Sequence, residues 1–187
     1  AMTVFGDLDD TRMSGMPSGR TPVATYLADS ANAAWVERTW ARAAEEIAQG
    51  HRVYVVCPRI DASDEVADAE EEGARPLASV EEVAAYLRGH PALAGVAIHE
   101  LTGRTPSPVK AQIMEDFFAG RAPLLVATTV IEVGVDVSEA TLMVILDAQQ
   151  FGLAQLHQLR GRVGRSSLPS LCIAMHRHDL TDSGRAR

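Results

Sequence analysis

In this chain of 187 residues, the densest set of chemically capable side chains is Gln158-Leu159-Arg160-Gly161-Arg162-Val163-Gly164-Arg165. Three arginines interleaved with two glycines give up apolar surface and weaken a helix, so packing alone does not ask for the pattern. A polyanion does. A guanidinium stays charged and forks two donors onto phosphate oxygens, and small neighbours let a phosphate come close. The competing reading is a solvated basic helix end. A second stretch, residues 127–137, reads Ala-Thr-Thr-Val-Ile-Glu-Val-Gly-Val-Asp-Val directly after an apolar run. The hydroxyls of Thr128 and Thr129 and the flexible Gly134 can meet a nucleic-acid backbone, and Asp136 can take a ribose hydroxyl or a hydrated metal. Thr128 and Thr129 can equally satisfy their own local backbone. His157 reads as a helix-surface or core histidine rather than a base.

The elements that must position these residues follow from periodicity. Residues 1–22 are Gly-, Ser- and Pro-containing and aperiodic, an irregular lead-in. Val23 to Ala28 reads as a strand, and Ser30 or Asn32 can cap a helix whose stripe includes Ala34, Trp35, Ala41, Ala44 and Ile47 and which ends at Gly50. Arg52 to Cys57, stopped by Pro58, has the pattern of a strand buried on both faces. The acidic run from Asp61 to Gly73 reads as a solvent-facing helix or loop, with metal binding as the minor reading. Ser79 and Glu82 resemble a capping box opening a helix that Gly89-His90-Pro91 ends. Val96 to Ile98 is the next predicted strand. Pro106 or Pro108 starts a helix carrying Val109, Ile113, Met114, Phe117 and Phe118 as core, closed by Gly120. Residues 123–127, 142–146 and 171–175 read as strands, and Leu153 to Leu159 as a helix. Alternating strands and helices predict an α/β domain with a mostly parallel sheet and helices on both faces.

Composition narrows the class. The formal charge is −8, which argues against a surface that clings everywhere to nucleic acid or anionic membrane. The average hides a split, because residues 151–187 carry +4 and residues 1–150 carry −12. Cys57 and Cys172 sit in apolar runs, as suits reduced, buried thiols of a cytoplasmic protein. No membrane span is expected. Lys110 is the sole lysine and lies outside any Gly-x-x-x-x-Gly-Lys pattern, so the chain has no phosphate-cradling loop of that type.

Together, residues 126–165 resemble motifs V and VI of the superfamily 2 helicases, and within them the RecG family of DNA repair helicases. Residues 3–9 and the Pro17-Ser18-Gly19-Arg20-Thr21-Pro22 element resemble the same family just past its motif III, so the likeness spans nearly the whole chain. The resemblance implies a RecA-like fold over residues 23–178, with 179–187 as a tail, serving as the second motor domain of an ATP-dependent translocase. ATP and Mg2+ would be held mainly by a first motor domain. The implied partners are branched and duplex DNA, that first domain and a wedge domain of the same protein. By the same resemblance, Arg162 and Arg165 would reach ATP phosphates, one as an arginine finger, while Gln158 orients the site. Gly134 and Asp136 would couple nucleotide state to DNA, and Thr128 and Thr129 would touch its backbone. Gly103 and Arg104 stand where the family commonly has a His-Gly pair at a DNA contact, but His99 is separated from Gly103 here. No resident metal is expected. Two other readings remain: the equivalent domain of a transcription–repair coupling factor, and a nucleic-acid-binding module without hydrolysis.

Overall fold

A computed structural model of the protein describes residues 22–61, 77–129 and 137–177. Six strands build one sheet among these residues: β1 (Val23–Asp29), β2 (Arg52–Val56), β3 (Ile98–Leu101), β4 (Leu124–Ala127), β5 (Ala140–Ile145) and β6 (Ser170–His176). Their order is β1-β6-β5-β2-β4-β3 and every pairing is parallel. Parallel neighbours need crossovers, which the helices α1 (Ala33–Ala48), α2 (Val80–Arg88), α3 (Ser107–Ala119) and α4 (Leu153–Arg160) help to supply. The fold is an α/β sheet with helices on both faces, as the alternation of elements predicts, and is RecA-like, as the resemblance implies.

Burial explains the faces. Strand β2 alternates its side chains between two apolar clusters, Val53 and Val55 on one side and Tyr54 and Val56 on the other. The first cluster gathers Trp40 and Ala43 of α1 and Ala84 and Leu87 of α2; the second gathers Ile113 and Phe117 of α3 and Leu159 of α4. A strand covered on both faces has no polar side, hence the unbroken apolar run from Val53 to Cys57.

Local signals set most boundaries. Asn32 caps α1, its side chain accepting from the Ala34 amide at 3.1 Å. Ser79 caps α2 by accepting from the Glu82 amide, and its hydroxyl donates to the Glu82 carboxylate at 2.8 Å, a variant of the capping box. Gly120 ends α3 with φ 76, a left-handed conformation that favours glycine.

Three expectations need correction. The predicted strand at Val96–Ile98 begins only at Ile98 and runs to Leu101, because Gly95, at φ 79, turns the chain just ahead of it. On α1 the buried face is Thr39, Trp40, Ala43 and Glu46, while Ala34 is exposed. Glu46 is buried because it accepts from Thr141 Oγ1 at 2.6 Å, lies 2.6 Å from His51 Nδ1 and is paired with Arg42. On α3, Ile113 and Phe117 are core but Val109 and Phe118 are about half exposed. The lead-in 1–21, most of the acidic run (62–73) and the tail 179–187 lie outside the described residues.

Candidate nucleotide-phosphate and nucleic-acid site

The arginine segment begins on α4 and continues past its end. Gln155 closes the helix start by accepting from the Gly152 amide at 3.0 Å, and Gly161 ends the helix. Leu159 and Val163, 0% and 2% exposed, pin the segment into the core on either side of that end. Between and beyond these anchors, Arg160, Arg162 and Arg165 are partly exposed and Gln158 is exposed. Gly164 takes φ 73 and is buried, turning the chain between the Val163 anchor and Arg165. The Arg165 Nε–H donates to the Gly161 carbonyl at 2.8 Å, which fixes the stem of its guanidinium. Arg162 has no ion-pair partner among the described residues. Arg160 faces inward far enough for its charge to be felt at Cys172, whose thiol is nevertheless pushed up to about 12 by burial. The other thiol, Cys57, is raised by burial and then by the charge of Asp147; both cysteines are buried and free, so neither is a ready nucleophile.

The second group lies at the C-terminal ends of neighbouring strands β4 and β3. Thr128 is buried, 8% exposed, and its amide donates to the Leu101 carbonyl at 3.2 Å; Thr129 is partly exposed. Gly103 and Arg104 sit in the turn after β3, where Thr102 Oγ1 accepts from the Arg104 amide at 3.2 Å and Thr105 Oγ1 accepts from the Thr102 amide at 3.0 Å. Arg104 pairs with Asp61, which joins this turn to the chain beyond β2. The structure thus brings Thr128, Thr129, Gly103 and Arg104 to one end of the sheet, and places Gln158, Arg162 and Arg165 together on the α4 segment. Gly134 and Asp136 fall in residues 130–136, outside the described residues.

Sequence reasoning missed Asp147, at the end of β5. It takes φ 48, a left-handed conformation unusual for a residue with a side chain, and it is 9% exposed. Its carboxylate accepts from the Ala78 amide at 2.6 Å and from Arg177 Nε at 2.8 Å, tying the lead-in of α2 and the end of β6 to the turn that launches α4. The one available signal was an acidic residue closing an apolar strand, and aspartate is among the few residues that tolerate this conformation.

A polyphosphate fits the α4 segment at its charge but not at its cradle: the arginines are anchored and partly exposed, yet no Gly-rich lysine loop exists in the chain. No group of three or more metal-ligating side chains is found among the described residues. Among the same residues no helix is long and apolar enough to cross a membrane.

Residues 38–167 match the helicase conserved C-terminal domain. The chain belongs to that family. It is 46% identical over 176 residues to the ATP-dependent DNA helicase RecG of Mycobacterium tuberculosis, which covers 92% of this chain and 23% of the relative. To the RecG helicase of Acidithiobacillus ferridurans it is 43% identical over 190 residues, covering 100% of this chain and 25% of that one. A solved structure of RecG bound to a three-way DNA junction superposes with a TM-score of 0.70 at 32% identity, over 92% of this chain and 20% of that chain. This helicase C-terminal domain therefore has RecG relatives, and it spans about a quarter of the length of the curated relatives it matches.

Proposed function

We propose that residues 23–178 form the second motor domain of an ATP-dependent DNA helicase that remodels branched DNA such as stalled forks and Holliday junctions, in the cytoplasm. The observation that carries this reading is the α4 segment, in which Leu159 and Val163 are buried while Arg162 and Arg165 stay partly exposed. In this reading the phosphates lie in a cleft between this domain and a first motor domain that holds ATP and Mg2+. ATP supplies the phosphoanhydride whose hydrolysis drives movement.

The roles follow from the chemistry of each side chain. Arg165, its Nε donating to the Gly161 carbonyl, brings its guanidinium charge to the charge growing on the γ-phosphate. Arg162 offers a second guanidinium to the phosphates, and Gln158, exposed one helical turn earlier, orients the site. Thr128 and Thr129 contact the DNA backbone from the end of β4, with Gly103 and Arg104 alongside at the end of β3. Gly134 and Asp136, on the segment that follows Thr129, relay nucleotide state to that contact. Without a phosphate cradle the chain alone is inactive.

The branched-DNA part of the proposal draws on the RecG relatives and on the junction bound in the RecG structure. The test is Arg165→Ala in the full-length protein: nucleotide affinity is retained, and hydrolysis falls by ~10³ or more, as loss of an arginine finger does. Near wild-type turnover in that variant removes the assignment.

A further inference from the structure

A cavity of about 610 Å³ opens on the α1/α2 side of the sheet, apart from both groups above. Its walls are mostly apolar: Val36 and Trp40 of α1, Val83 and Tyr86 of α2, Leu146 after β5 and Met175 of β6. The volume lies within the ordinary range of ligand clefts. Three further features describe what it lacks. Tyr86 is 48% exposed although its ring lies edge-on to Trp40 at 6.4 Å. Among the described residues the indole N–H of Trp40, 2% exposed, has only the neighbouring Tyr86 phenol to turn to.

The third feature is charge. Glu82 lines the cavity and is exposed while accepting from Ser79 Oγ at 2.8 Å, and Glu37, exposed and 3.4 Å from His90 Nε2, lies near enough to Tyr86 to help burial raise the phenol's pKa. Asp147 is also in the lining but is already engaged by Arg177 and the Ala78 amide. Among the described residues the lip is therefore acidic, and the cation in the lining, Arg177, is paired with Asp147. Aromatic walls beside carboxylates suit a cationic side chain: its charge meets Glu37 and Glu82 while its stem and apolar neighbours cover Tyr86 and Val83.

We infer that this cleft is a docking site for a basic, apolar peptide segment of a partner protein, with a large apolar residue seated between α1 and α2 and an adjacent Lys or Arg facing Glu37 and Glu82. None of the residues lining the cleft is assigned to ATP or DNA above, so its test is separate from that of the motor assignment.

The test uses the whole 187-residue chain carrying Trp35→Phe, which leaves Trp40 as its single tryptophan and so as the source of one indole N–H resonance. The probe is the synthetic peptide Leu-Lys-Lys-Leu-Phe-Lys-Lys-Leu, compared with the same peptide carrying Glu at every Lys. The expected result is a saturable shift of the indole resonance with the lysine peptide, and binding weaker by about ten-fold or more for the glutamate peptide, since like charges then face each other. Glu37→Lys, on an exposed position, should weaken the lysine peptide, and Val83→Arg should abolish its effect while the spectrum stays dispersed. No shift with the lysine peptide, equal shifts with both, or shifts untouched by either variant would overturn the proposal. So would an indole shift produced by deleting residues 178–187 with no peptide present, which would give the cleft to this chain's own tail.

Discussion

Helices α3 and α4 cover the same face of the sheet and both end in glycine with arginines close by, but the two ends use their arginines differently. At the end of α3 they are consumed by the fold. Arg52 reaches across from the start of β2 and donates to the carbonyls of Phe117 and Phe118, each at 2.9 Å, and to that of Gly50. Arg121 pairs with Asp116 at 2.8 Å and with Glu115 at 3.0 Å. At the end of α4, Arg165 places its Nε on a backbone carbonyl, and Arg162 meets no carboxylate among the described residues. Arginine at a helix end is thus not itself a functional mark. What distinguishes the site is Arg162, whose backbone is fixed by buried neighbours while its charge meets no carboxylate among the described residues.

That contrast can be broken most forcefully at Arg52. Arg52→Ala leaves two carbonyls at the α3 end, and that of Gly50 ahead of β2, without their shared donor and should destabilise the domain by about 2 kcal/mol or somewhat more, read by chemical denaturation. In the full-length protein at a temperature where it stays folded, the same variant should hydrolyse ATP normally, in contrast to Arg165→Ala.

Glycine offers a sharper version. Gly120 and Gly164 have φ 76 and φ 73, so alanine at either place meets the same backbone penalty of about 1–2 kcal/mol. At Gly120 the added Cβ also comes within 2.9 Å of the Arg52 guanidinium, the movable end of a long side chain. Gly120→Ala should cost stability alone. Gly164→Ala should cost a similar amount and in addition lower turnover, because it re-aims Arg165. Equal turnover in the two variants would show that the α4 turn does not position the arginine.

The smallest effect concerns acid. The Asp116 carboxyl is held below the usual aspartate range, first by its hydrogen bond from Arg121 and then by that from His99. A carboxyl depressed in the folded state contributes stability above the unfolded pKa, and that contribution disappears as pH falls through the folded value. Asp116→Asn should therefore lower thermal stability slightly near neutrality, and the difference from wild type should disappear as pH falls below about 4. Wild-type and variant melting curves that run parallel down to acid pH would contradict the pairing.

How much of this was legible beforehand depended on whether the signal was local. The caps at Asn32 and Ser79, the αL glycine at 120 and the doubly buried strand at 52–57 were readable because the residues that decide them are neighbours in sequence. The arginine segment was readable because its spacing is hard to reconcile with packing. The features that escaped are long-range. Glu46 looks like a surface residue of an acidic helix, and its burial is intelligible only with Thr141, which is 95 residues away. Asp147 is a staple only because Ala78 and Arg177 arrive beside it. Phe118 and Val109 fit a helical apolar pattern, yet α3 lies on the sheet with Ile113 and Phe117 inward and leaves those two half exposed. Periodicity gives a stripe, and only the packed partner sets its width.

The most direct test of the half-motor account is ATPase activity with forked DNA, measured for this chain alone, for a first motor domain carrying the phosphate loop, and for the two mixed after their association has been verified by co-elution. The account predicts no activity from this chain alone and DNA-stimulated hydrolysis in the mixture that is lost with Arg165→Ala. Hydrolysis by this chain alone, or a mixture whose activity is indifferent to Arg165, would contradict it.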